Sequence, residues 1–179
     1  MISRAYPQTA VPLPRRNAVR TLAVAGILAL AFGTLVYIVD RPAEAAPFFS
    51  AVNLSPLLPQ LFGPLGAHLP TFTHVLAFSL LSAACLGARR STGLIACAAW
   101  LGIDAGFELA QLPALAQRIA PRIPAQFDAL PLLDRSRDYF ANGTFDPADL
   151  ASIALGALTA AALIAYSTSD RSSHGPAIT

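Results

Sequence analysis

Asp104, Glu108 and Gln111 follow one another at spacings of four and three in the stretch LGIDAGFELAQ. On a helix these three side chains fall on one face, within about 60° of each other. Two carboxylates and an amide on one stripe can share protons and hold a polar group, which is the raw material of general acid–base chemistry. His74, in TFTHVLAF, adds an imidazole, and Asp149, in DPADLASIALG, adds a third carboxylate. Each has a simpler reading beside it. Asp146-Pro147-Ala148-Asp149 is a strong helix start, with an aspartate N-cap, proline at the first position and an acid at the third. His74 fits a hydrogen-bonded core histidine, and Asp104 a protonated acid bonded to a neighbouring helix. Glu108 has no cap or helix end in the sequence to account for it.

The elements that must carry these residues are apolar. Hydrophobic residues make up 55 % of the 179 and charged residues only 12 %, about half the usual share for a soluble domain. All twelve basic residues are arginine, and the net charge is +2, too small for a broad nucleic-acid-binding face. Both cysteines, Cys85 and Cys97, lie in apolar runs and read as small buried hydrophobes. A bilayer core of about 30 Å needs roughly 20 apolar helical residues. Four runs fit, at about 19–39, 69–88, 92–111 and 148–166. The fold class expected is therefore all-α: an integral membrane bundle of four transmembrane helices with two longer outer loops. Residues 1–18 form an N-terminal tail, 19–166 the membrane domain and 167–179 a C-terminal tail.

Arginine placement sets the orientation. Arg4, Arg15, Arg16 and Arg20 precede the first run, Arg89 and Arg90 fill the link between the second and third, and Arg171 follows the fourth. These share one side, expected to be cytoplasmic along with both termini. The other side holds Arg41, Arg118, Arg122, Arg135 and Arg137. The first run also resembles a signal peptide ending at Ala43-Glu44-Ala45, but its length favours an uncleaved anchor. In this topology His74 enters from the outer side, and Glu108, Gln111 and Asp149 lie near outer helix ends. All four can share one outer-facing polar layer, because ionisable groups at membrane depth must face protein, water or a partner.

Competing chemistries find little support. The chain contains no Walker loop, GxGxxG, HExxH, CxxC or GxSxG. His74, Glu108 and Asp149 are metal-ligand types, but they come from three segments without diagnostic spacing. No cofactor and no metal is expected. Small residues at a spacing of four (Ala98, Gly102, Gly106 and Ala110; Ser152, Gly156 and Ala160; Ala25, Ala29 and Gly33) point to close helix packing.

In order along the chain, THVLAF with His74 and Phe78, FELAQ with Glu108 and Gln111, a downstream arginine such as Arg118, and DPADLASIALGAL with Asp149 and Gly156 resemble the VanZ-like family of small polytopic membrane proteins. The resemblance covers about residues 19 to 166. It departs where the family often has Asp-Lys before its histidine (Pro70 and Thr71 here) and Asn between the last Asp and Gly (Ile153 here). The family takes its name from a protein linked to low-level teicoplanin resistance. The resemblance implies a cell-envelope membrane protein whose polar pocket binds or modifies an envelope component, and it leaves open whether a reaction occurs. Glu108 and His74 are then the catalytic candidates, Glu108 as proton acceptor or hydrogen-bond anchor and His74 as its partner. Gln111, Asp149 and Asp104 are binding candidates, and Arg118 an anion contact. Expected partners are the lipid bilayer, a lipid-linked or polar envelope ligand, and a second copy or another membrane protein, with no nucleic acid. Two other functions compete: a non-enzymatic assembly or scaffold subunit, and a small oligomeric proton-coupled transporter.

Overall fold

The structure, a computed structural model, describes residues 13–42, 52–130 and 133–169. The Ala43–Ala45 segment, most of the N-terminal tail and Arg171 lie outside these. Within the described residues six α-helices follow in order: α1 (Leu13–Asp40), α2 (Leu69–Cys85), α3 (Arg90–Ala110), α4 (Pro113–Ile119), α5 (Ser136–Asn142) and α6 (Pro147–Thr168). Short 3₁₀ turns occupy Gly63–Ala67, Ala120–Arg122 and Ala125–Ala129, and there is no strand among the described residues. The long connection between the third and fourth apolar runs is thus built largely of helical turns.

Among the described residues three helices are long and apolar enough to cross a membrane: α1 over residues 16–40, α3 and α6. The second expected run is shorter than its expected span. Its 17 helical residues reach about 25 Å at 1.5 Å per residue. It stops at Cys85 because Gly87 and Ala88 take positive φ values of 81° and 51°. Their N–H groups donate back to the Ala84 and Ala83 carbonyls, at 3.1 and 2.8 Å, which closes the helix end and reverses the chain into α3. The outward surface suits lipid contact: Ile27, Leu28, Ile95, Leu155 and Leu158 are all more than half exposed.

α2 packs against α1, α3 and α6 and forms the centre of the bundle. Val75, Ala77, Leu80 and Ala83 on it are fully buried. At one end Leu22, Leu80, Ala83, Cys97, Ala160 and Ile164 form the main core. Nearer the other end Val75, Ile153 and Ala157 pack with Trp100 and Leu150. Cys97 is buried as expected, whereas Cys85, at the helix end, is exposed. Close approaches fix the directions. Gly33 meets Thr73 and Gly26 meets Leu81, so α1 and α2 run antiparallel; Gly156 meets Phe72, and Gly93 meets both Ile164 and Ala83, so α2 and α6 run parallel. Arg16, Arg20, Arg89 and Arg90 therefore collect at one end, and Asp40, His68, Gln111 and Asp146 at the other.

The small-residue ridges behave differently from one another. A Cβ added at Gly156 would lie 2.5 Å from the Phe72 carbonyl oxygen and 3.3 Å from Val75, whereas one added at Gly102 or Gly106 would meet nothing within 4 Å. The α3 ridge thus faces outward and packs against none of the described helices. Gly156→Ala is expected to cost about 1–3 kcal/mol through overpacking. Gly102→Ala should be neutral or stabilising by up to about 1 kcal/mol, because alanine is the better helix former. Thermal unfolding of the two variants in detergent, against wild type, checks the contrast.

Candidate functional site

α1 and α3 both rest on α2 and α6 and form no comparable interface with each other. The gap between them is a cleft of about 590 Å³ floored by α2. Its lining includes His74, Asp104, Glu108, Gln111 and Asp149, together with Tyr37, Arg41 and Tyr139. Five of the six residues singled out from sequence therefore face one space. Arg118 does not: it sits in the last turn of α4, where its carbonyl accepts from Arg122. The arginine in the cleft is Arg41, just past the end of α1.

The pairing inside the cleft differs from the one expected. His74 meets Asp104, not Glu108. Its Nδ1 lies 2.6 Å from Asp104 Oδ2. The histidine side chain is 45 % exposed and the aspartate 11 %, so the ring opens to the cleft while its partner is screened. Phe78 and Trp100 back the ring, at centroid distances of 4.5 and 5.9 Å. Trp100 is itself fixed by its Nε1–H donating to Ser82 Oγ at 3.0 Å. A neutral ring that donates Nδ1–H to this carboxylate presents the Nε2 lone pair, the tautomer a proton acceptor needs.

Glu108 has a structural duty invisible in the sequence. It is only 7 % exposed. Its Oε1 accepts the backbone N–H of Asp146 at 2.6 Å. Asp146 is the N-cap of α6, its side chain accepting from the Ala148 N–H with Pro147 next to it, as the sequence predicts. In a capping box the acid three residues into the helix would reach back to the N-cap N–H. Here that acid, Asp149, turns to His68 instead, and Glu108 supplies the bond from α3. Gln111 Nε2 donates to Tyr139 Oη at 2.8 Å and, more weakly, to Glu108 Oε2 at 3.4 Å. Burial, followed by the nearby Glu108 charge, raises the Tyr139 phenol above its ordinary pKa of 10.0, so at neutral pH it remains a hydroxyl able to accept from Gln111 and donate onward.

Three further groups have no motif around them in the sequence. Asp40, buried at the end of α1, accepts from the Leu61 and Phe62 N–H groups at 2.7 and 3.0 Å. That ties Leu61 and Phe62 to the end of α1 and compensates an acid at the unfavourable end of a helix dipole. The adjacent Arg41 donates from Nη2 to the Ala67 carbonyl, while its buried Nε has no hydrogen-bond partner among the described residues. His68 Nδ1 sits 2.8 Å from Asp149 Oδ1. The available signal was position: each flanks the end of an apolar run.

The arrangement offers a histidine–aspartate pair open to a cleft, a guanidinium lining the same cleft, and a Glu–Gln–Tyr hydrogen-bond network. No protein-family model, curated protein or solved structure matches this chain.

Proposed function

We propose that this chain is a VanZ-like membrane protein of the cell envelope that receives the polar head of a lipid-linked envelope component in the cleft between α1 and α3. α2 serves as a short second span in a four-span topology, with both termini cytoplasmic and the cleft at the outer end. His74, oriented by Asp104, accepts a proton or hydrogen bond from the head through Nε2. Arg41 contacts its anionic part, and Glu108, Gln111 and Tyr139 hold the outer ends of α3, α5 and α6 in register. One observation carries the reading. In a chain with so few charges, five arginine, histidine, aspartate and glutamate side chains (Arg41, His74, Asp104, Glu108 and Asp149) line a single cleft. Such groups are costly at membrane depth unless they serve a ligand, water or each other. The test is capture of lipid from bacterial membranes by the detergent-extracted protein, quantified by native mass spectrometry for wild type and His74→Ala, with teicoplanin susceptibility of the expressing cells read in parallel.

Self-association or assembly with another membrane protein is a second reading, favoured by the outward Gly102–Gly106 ridge. Under it, Gly102→Leu lowers the yield of cross-linked dimer in membranes without altering thermal unfolding of the extracted chain. An unchanged cross-linking pattern removes this reading.

A further inference from the structure

A second histidine stands against two carboxylates where α2 and α6 begin. His68 Nδ1 is 2.8 Å from Asp149 Oδ1 and 3.9 Å from Asp146 Oδ2, and the three donor atoms all lie within 4.8 Å of one another. The two carboxylates do not share the same duty. Asp146 commits Oδ1 to the Ala148 N–H at 2.8 Å, which leaves Oδ2 toward the imidazole at a distance too long for a hydrogen bond. One ring nitrogen offers one donor or one lone pair, so it cannot satisfy both acids. Among the described residues no arginine forms an ion pair with either aspartate. Two like charges within a single helical turn repel, and besides His68 only Thr71 Oγ1, at 3.4 Å, reaches Asp149 Oδ1 from a side chain among the described residues.

Tetrahedral zinc with bonds of about 2.0–2.2 Å holds its donors roughly 3.3–3.5 Å apart. The 2.8 and 3.9 Å separations from His68 fall on either side of that spacing and the two carboxylate oxygens lie within 4.8 Å of each other, so rotation of the side chains would close the set. One imidazole nitrogen and two carboxylate oxygens suit zinc better than magnesium, which favours octahedral oxygen, or copper(I), which favours sulfur. Two carboxylates also neutralise a dication. Asp149 lines the cleft, whereas His68 and Asp146 do not.

We propose that His68 Nδ1, Asp146 Oδ2 and Asp149 Oδ1 bind a divalent transition-metal ion, zinc foremost, at the edge of the cleft, with a fourth coordination position open toward it. Three protein ligands and an open position are the pattern of zinc sites that bind a water or an oxyanion. The site uses none of the atoms of the His74–Asp104 pair, so it can fail while the cleft's binding role stands.

The test uses the full chain in detergent, stripped with a chelator and titrated with Zn²⁺ by calorimetry and with Co²⁺ by visible absorption. Wild type should bind one equivalent of Zn²⁺ and give the intense visible bands of four-coordinate Co²⁺. His68→Ala and Asp149→Asn should each weaken binding at least about tenfold, equal to about 1.4 kcal/mol. Asp146→Asn keeps a competent N-cap and therefore tests the metal ligand in a folded chain; it too should bind more weakly. His74→Ala should bind as wild type does. Absence of saturable binding by wild type, binding by His68→Ala equal to wild type, or loss in His74→Ala alone overturns the proposal.

Discussion

His74→Ala is expected to reduce capture of the wild-type chain's lipid by roughly 10- to 100-fold. A hydrogen bond involving a charged group contributes about 1.5–3 kcal/mol, and each 1.4 kcal/mol is a factor of ten in affinity. Asp104→Asn should come close to the same loss, for a reason that separates orientation from mere presence of the ring. An asparagine amide can donate to Nδ1, which moves the ring proton to Nε2 and removes the lone pair facing the cleft. The Phe78 and Trp100 contacts that hold the ring remain, so this variant should fold. Native mass spectrometry at matched protein amounts reads both. Wild-type capture by the two variants together would sink the proposed role of the pair.

Glu108 should report mainly through stability. Glu108→Ala strands the Asp146 N–H and loosens Gln111. An unsatisfied buried polar group costs about 1–3 kcal/mol, and the lost bond was charge-assisted. A loss of about 2–3 kcal/mol corresponds to roughly 5–10 °C in unfolding midpoint for a chain of this size. Glu108→Gln keeps an oxygen facing the Asp146 N–H and should lose only about 1 kcal/mol. It also removes one of the charges that raise Tyr139. The Tyr139 phenol should therefore titrate at lower pH in Glu108→Gln than in wild type, read as the 295 nm absorbance change that disappears in Tyr139→Phe. Lipid capture by a folded Glu108→Gln chain should stay near wild type. Loss of capture without loss of stability would instead make Glu108 the ligand's own acceptor, the role the sequence alone suggests for it.

Composition and apolar run length were enough to specify helices and their approximate limits, because burying backbone in an apolar setting leaves the helix as the main local solution. The start of α6 was legible to the residue, since Asp146-Pro147 is local chemistry. The one-face grouping of Asp104, Glu108 and Gln111 was legible too, because helical periodicity alone imposes it. Partner choice was not. Whether His74 meets Asp104 or Glu108 depends on the axial offset between α2 and α3, set by the Gly87–Ala88 reversal and by Gly93 against Ile164 and Ala83. Arg41, rather than Arg118, faces the cleft because it follows the end of α1, which forms one wall, while α4 carries Arg118 elsewhere. The Gly102–Gly106 ridge and Gly156 look alike as spacing patterns, and only packing distinguishes a glycine that admits a neighbouring backbone from one that faces outward. Periodicity determines which residues share a face. The tertiary structure decides what that face meets, because rotation and offset between packed helices depend on contacts far apart in the chain.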